Sequence, residues 1–298
     1  MSTPDATSRT ISVAANAGMA GSAGRLELPP PESPWRGWLD VALAACDEAD
    51  QLALGHFRRD LHIETKPDRS FVTEADRAIE ERIRERIRAA FPDHGLVGEE
   101  YGEQEAASDK RWYIDPIDGT HNFMRGVPLF GTLLGFEMDG DMVLGVMSAP
   151  ALHTRWLAWR DGGAWAVELT PGGWDPGTAR RLHVSGVDRV ADAQLLYAST
   201  AELSRSGLVP GFPGLLERAW RDRGFGDFWG YALVAEGAAE TMLEIGNHSW
   251  DLAAPMVVVE EAGGRMTDLS GARTVHGGGV LASNGLLHDE VLAACRGA

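Results

Sequence analysis

The sequence predicts a mixed α/β fold, and three observations carry that prediction. Two stretches with helical apolar spacing lie near the start, paired strand signals joined by Asp-Gly turns follow, and helices alternate with strands toward the end. Antiparallel hairpins set between helices imply a mixed sheet rather than a purely parallel one. With 298 residues, 44% hydrophobic and 24% charged, the chain has the composition of a globular protein of one large domain or two ordinary ones, not of a fibrous or disordered one.

In order along the chain, residues 1–34 are read as a flexible tail, rich in Ala, Gly, Ser and Thr and ending in Pro29, Pro30, Pro31 and Pro34. The run Ile11–Gly24 is mildly apolar, but it has neither a leucine-rich centre nor a basic start, which argues against an export signal. Trp38, Val41, Ala42, Ala45 and Ala49 predict a first helix over Trp35–Arg58. Ile79, Ile83 and Ile87 share one face of a second, Glu74–Ala90, which Phe91-Pro92 ends. Arg111–Ile114 reads as a strand running into Asp115. Gly131–Met138 and Met142–Ala149 flank Asp139-Gly140, and Arg155–Trp159 and Ala164–Val167 flank Asp161-Gly162-Gly163, giving two hairpins. Glu168–Arg181, with Pro171, Gly172, Gly173, Pro176 and Gly177, is the expected internal boundary, dividing a subdomain 35–181 from a subdomain 182–298. A strand near Leu195–Ser199 and helices over Phe228–Gly237 and Asp251–Ala262 follow, the last stopped by Gly263-Gly264.

Lys and Arg number 27 against 44 Asp and Glu, a formal net charge of −17. Such a field repels phosphate backbones, so neither nucleic acid nor an anionic membrane is expected as partner. An anionic substrate would require imported positive charge, and bound metal is the obvious source. Cys46 and Cys295 make neither a disulfide framework nor a zinc cluster, which fits a reducing cytoplasm. The nine histidines show no paired ligand spacing.

The densest chemical signal is Trp112-Tyr113-Ile114-Asp115-Pro116-Ile117-Asp118-Gly119-Thr120. Two carboxylates on one tight turn raise each other's pKa unless a cation holds them. Hard oxygen ligands select Mg²⁺ or Mn²⁺ over Zn²⁺. A plain acidic turn is the alternative. Gly98-Glu99-Glu100 follows the apolar Leu96-Val97, which puts Glu99 at a strand end or in a solvated loop. Asp251 after Trp250 is a ligand or a helix cap, and Thr73 with Asp76 is part of a site or a capping box.

Together these segments resemble the magnesium-dependent inositol monophosphatase family from about Trp35 to Cys295. The motifs are Val72-Thr73-x-Ala75-Asp76, Gly98-Glu99-Glu100, Asp115 through Phe123, Trp250-Asp251-x-Ala253 and Glu261-Ala262-Gly263-Gly264. The resemblance implies a layered α-β-α-β-α sandwich, a homodimer and two to three Mg²⁺ ions, with Mn²⁺ an alternative. It implies Glu99, Asp115 and the Ile117 carbonyl as ligands of one ion, and Asp115, Asp118 and Asp251 as ligands of a second. Glu99 would help hold a third and so act in catalysis. Gly119 and Thr120 would grip phosphate, and Asp76 with the Thr120 hydroxyl would orient and deprotonate the attacking water. The expected chemistry is in-line hydrolysis of a small phosphomonoester with no covalent intermediate.

Gly226-Asp227-x-x-x-Tyr231 resembles the histidinol-phosphate phosphatase branch, as do Ser148 through Leu152 and Asn284 through Glu290. Histidinol phosphate carries an ammonium beside its phosphate, and Asp227 and Glu244 would give an acidic wall suited to it. Capping the helix at Phe228 is the other role open to Asp227. Asp118 and Arg223 complete the expected substrate contacts, Arg223 facing either pocket or surface, and Asn284 is a candidate contact across a subunit boundary. The alternatives are an inositol-1-phosphate or general sugar monophosphatase and a non-catalytic regulatory protein on the same fold.

Overall fold

A computed structural model of the chain describes residues 25–65, 71–105 and 107–297, so the readings made for 1–24 lie outside the described residues. Helix α1 (Pro34–His56) is followed by the short pair β1 (Ile63–Thr65) and β2 (Phe71–Thr73), then α2 (Glu74–Ala90). Next come β3 (Gly95–Gly98), β4 (Gly102–Gln104), β5 (Lys110–Asp118), α3 (Thr120–Met124), β6 (Gly131–Met138), β7 (Asp141–Ala149), β8 (Thr154–Trp159), β9 (Gly163–Thr170) and β10 (Gly173–Arg181). The remainder is β11 (Gln194–Tyr197), α4 (Thr200–Ser206), α5 (Phe212–Arg218), β12 (Arg221–Arg223), α6 (Asp227–Ala235), β13 (Thr241–Ile245), α7 (Ser249–Glu261), β14 (Arg265–Asp268), β15 (Gly279–Ser283) and α8 (His288–Cys295). No described helix is long and apolar enough to cross a membrane.

Two sheets organise these elements. An eight-stranded sheet runs β10-β9-β8-β7-β6-β5-β3-β4, and a five-stranded one runs β12-β11-β13-β15-β14. Both are mixed: β3 pairs parallel with β5, and β11 pairs parallel with β12 and β13, while the hairpins are antiparallel. The apolar face of α1 and the Ile79, Ile83 and Ile87 stripe of α2 are buried with Trp112, Leu134 and Phe136 on one side of the large sheet. On its other side α7 and α6 fill the space between the sheets, where Ala253 and Ala254 pack with Leu133, Met147 and Ala282. Contact is close there: a Cβ on Gly135 would meet Ala253 Cβ at 2.4 Å, and one on Gly145 would meet Ala254 O at 2.4 Å. Helices α4, α5 and α8 cover the outer face of the small sheet through Leu203, Phe212, Leu215 and Val291. The result is the expected α-β-α-β-α sandwich.

The Asp139-Gly140 turn between β6 and β7 has φ of 56° and 78°, the left-handed pair that a two-residue hairpin requires. The Pro- and Gly-rich boundary stretch 168–181 is not irregular: it forms the end of β9 and all of β10. Strand β10 is an edge strand, and Pro176 falls at a register break between Asp175 and Arg180, where a missing N–H costs no ladder bond. Nor are residues 25–33 a tail without core contacts: Leu26, only 9% exposed, and Leu28 pack into the cluster under α1.

Candidate active site

A bulge creates the centre of the site. In β5 opposite β6, Asp115 pairs with Leu133 and Asp118 with Gly131, so one extra residue is inserted at Pro116–Ile117. Residues three apart on a regular strand face opposite ways, and the insertion turns both carboxylates to one side. The Thr132 hydroxyl pins it by donating to the Pro116 carbonyl at 2.9 Å. Gly119 then takes φ 81°, and a Cβ there would meet Leu129 O at 2.8 Å, so only glycine fits between β5 and α3.

Asp251, in the first turn of α7, completes a group of three: Asp115, Asp118 and Asp251 each offer a carboxylate oxygen within 4.8 Å of the others. Asp115 is buried, and its Oδ1 has no hydrogen-bond partner among the described residues. Burial, then the charges of Glu99, Asp118, Asp251 and Asp76, push its pKa well above the usual carboxylate range. Burial with Asp227 and Asp251 raises Asp118 likewise, although the Phe228 N–H donates to its Oδ2 at 2.6 Å. An all-oxygen set with one orphaned oxygen and strong mutual repulsion suits a hard divalent cation. Asp251 is not the N-cap of α7, a place taken by His248, but the third helical residue, whose carboxylate takes the His248 N–H at 2.7 Å.

Asp76 is double-ended in the same way. Its Oδ2 accepts from Thr73 N at 2.7 Å and from Thr73 Oγ1 at 2.5 Å, which closes the capping box. Its Oδ1 lies 3.4 Å from the Thr120 hydroxyl, which also lies 2.9 Å from the Ile117 carbonyl oxygen. Glu99, at the end of β3, lines the cleft with Asp115, Ile117, Asp118, Gly119, Thr120 and Asp251.

That cleft encloses about 720 Å³, and its far wall is acidic too. Asp227 opens α6 with φ 51°, accepts from Asn122 Nδ2 at 3.1 Å, and is pushed up to about 6, chiefly by burial and against the pull of His121. Glu244 on β13 is pushed to about 7 by burial and then by Asp227, while the Tyr231 hydroxyl donates to its Oε2 at 2.7 Å. Tyr231, one turn beyond Asp227 on α6, thus holds Glu244 from behind.

The model of the inositol monophosphatase family matches residues 35–297. The chain belongs to the inositol monophosphatase family. A histidinol-phosphatase of Mycobacterium tuberculosis is 46% identical over 255 residues, 85% of this chain and 96% of that one. One from Streptomyces coelicolor is 42% identical over 259 residues, covering 85% and 95%. Among solved structures, Thermotoga maritima IMPase superposes with a TM-score of 0.76 at 30% identity, covering 87% of this chain and 97% of that one.

In this inositol monophosphatase family member, the geometry bears on the readings left open for three residues. Arg223 sits exposed on the edge strand β12, its Nη1 donating to the Asp222 carbonyl at 2.6 Å, and is not part of the cleft lining. Of the two roles open to Asp227, capping is not seen; the carboxylate on the Phe228 N–H is that of Asp118. Asn284 does not line the cleft: it is buried, donating to Ser185 and to the Val187 carbonyl at 2.7 Å while accepting from Leu287 N. Residues without an assigned role also line the cleft: Glu202 of α4, His121, Asn122, and the ring pair His248 and Trp250, stacked at 4.6 Å. Asn122 stood in the Asp115–Phe123 string, a usable signal. Nothing local marks Glu202.

Proposed function

We propose that this protein is a Mg²⁺-dependent phosphoric monoester hydrolase that converts histidinol phosphate to histidinol and inorganic phosphate in histidine synthesis. One observation carries the reading: a single cleft sets a cation-seeking carboxylate trio opposite a second acidic wall. Histidinol phosphate is bipolar in the matching sense, a phosphate at one end and an ammonium beyond it. The 46% identity to a histidinol-phosphatase over most of both chains supports the same substrate.

Glu99, Asp115, the Ile117 carbonyl, Asp118 and Asp251 hold the metal ions. Bound Mg²⁺ supplies the positive charge that neutralises phosphoryl oxygens and acidifies the attacking water. The backbone N–H groups of Gly119 and Thr120 orient the phosphate. The Thr120 hydroxyl would take a proton from the attacking water as it passes its own to Asp76 Oδ1, whose other oxygen is fixed by Thr73 and so keeps the acceptor in place. Asp227 holds the ammonium by a charge-assisted hydrogen bond, with Glu244 beside it on a shorter leash. Subdomains 35–181 and 182–298 share the work, the first contributing Asp115 and Asp118, the second Asp227 and Asp251. Cytoplasmic residence and a homodimer belong to the proposal; the buried free thiols of Cys46 and Cys295 fit the former.

Phosphate release from histidinol phosphate, inositol-1-phosphate and fructose 1,6-bisphosphate with Mg²⁺ tests the substrate. The highest kcat/KM is expected for histidinol phosphate. A higher value for inositol-1-phosphate would replace the proposal with an inositol monophosphatase.

A further inference from the structure

Behind the metal-facing residues lies a charged group with no assigned role. Glu80, one helical turn after Asp76 on α2, is fully buried, and so is its partner Arg84, whose Nε donates to Glu80 Oε1 at 2.7 Å. Glu80 spends the rest of its acceptor capacity on backbone: Glu100 N donates to Oε2 at 2.7 Å and Tyr101 N to Oε1 at 3.2 Å. Arg84 continues the clamp by donating to the Gly102 carbonyl. These contacts grip the turn that follows Glu99, while the Glu99 N–H itself donates to the Ile114 carbonyl of β5 at 3.2 Å, next to Asp115.

Gly98 belongs to the same device. A Cβ at this position would lie 2.1 Å from Glu80 Oε1 and 2.9 Å from Arg84 Nη2, so the glycine before Glu99 is the space in which the Glu80 carboxylate sits. A buried ion pair is a poor source of net stability compared with apolar residues of the same volume, and fixing one conformation is a use attested for such pairs. Here that conformation is the backbone from which Glu99 faces Asp115. The same helix face, through Asp76, reaches Thr120.

We propose that Glu80 is a positioning residue for metal binding: through the Glu100 and Tyr101 amides it fixes the turn that aims the Glu99 carboxylate at the metal ions. This rests on the assignment of Glu99 as a ligand, so the test includes that residue. Groups that orient a ligand typically change metal affinity by 10- to 100-fold when altered.

The test is Mn²⁺ binding to metal-free full-length protein, read from the electron paramagnetic resonance of free Mn²⁺, with melting temperatures in parallel. Glu80→Gln should raise the Mn²⁺ dissociation constant by roughly 10- to 100-fold. Gly98→Ala, which displaces the carboxylate without touching its charge, should act in the same direction and decides alone if Glu80→Gln does not fold. Ile83→Ala, a cavity on the same helix, should lower the melting temperature and leave Mn²⁺ affinity unchanged. Glu99→Gln should weaken binding at least as much as Glu80→Gln. Wild-type affinity in Glu80→Gln or Gly98→Ala, beside a weakened Glu99→Gln, would overturn the proposal. Wild-type affinity in Glu99→Gln would remove Glu99 from the metal site, and Glu80 with it.

Discussion

Replacing Asp227 with Asn isolates the acidic wall from everything else in the cleft. The substitution is nearly isosteric, and Asn tolerates the left-handed backbone that Asp227 adopts at φ 51°. Its amide oxygen can still accept from Asn122 Nδ2, now 3.1 Å from the carboxylate. The α6 N-terminus does not depend on it, because Asp118 holds the Phe228 N–H. What disappears is one negative charge facing the substrate ammonium. A hydrogen bond to a charged group contributes about 1.5–3 kcal/mol, so kcat/KM for histidinol phosphate should fall roughly 10- to 150-fold. Inositol-1-phosphate has no ammonium and should lose far less. The assay is phosphate release on both substrates with the melting temperature measured on the same preparation, which should not fall, since one member of a repelling carboxylate set is gone. An equal loss on both substrates, or none on histidinol phosphate, would remove Asp227 from recognition of the cationic end.

Three further outcomes follow from the same geometry. Asp251→Asn keeps an oxygen for the His248 N–H but withdraws a charged ligand, so turnover of every substrate should collapse while the melting temperature of metal-free protein holds; near wild-type turnover would reduce Asp251 to an acceptor for the His248 N–H. Deleting residues 1–33 removes buried Leu26 and should cost about 2 kcal/mol and lower Tm by about 3 °C; an unchanged Tm would show that these contacts contribute nothing. In metal-free protein Asp227 and Glu244 titrate near 6 and 7 instead of the ordinary 3.8 and 4.5. A raised carboxyl pKa penalises the folded state as the group ionises, so that penalty is absent below about pH 4 and complete above about pH 7. The Tm of metal-free wild type should therefore fall relative to that of Asp227→Asn as pH rises through this window, and a constant difference would contradict the raised Asp227 pKa.

Much of the site was legible in the sequence because its acidic residues lie at element ends with local signatures. Asp115 and Asp118 share one turn, Asp76 follows a capping Thr, and Asp251 opens a helix. The elements that hold these residues, α2, β5 and α7, have clear apolar periods or runs. What escaped was set by contacts between distant segments. Asp118 caps α6 from 110 residues away, so no local window shows why Asp227 is released from capping. Glu202 enters the cleft only because α4 packs on the far face of the small sheet beside β13. The place of Arg223 before Asp227 leaves pocket and surface equally open, and only the strand β12 turns it to solvent. Pro176 and the glycines of 171–177 mark a boundary in the sequence because they weaken interior strands, whereas an edge strand with a bulge accepts them.

The carboxylate trio is expected to work by holding metal for histidinol phosphate hydrolysis. The most direct measurement removes divalent metal with a chelator, follows phosphate and histidinol release from histidinol phosphate, and then restores Mg²⁺. The account predicts no turnover in metal-free protein and equimolar phosphate and histidinol once Mg²⁺ is returned. Full turnover without metal, or none after Mg²⁺ is restored to folded protein, would contradict it.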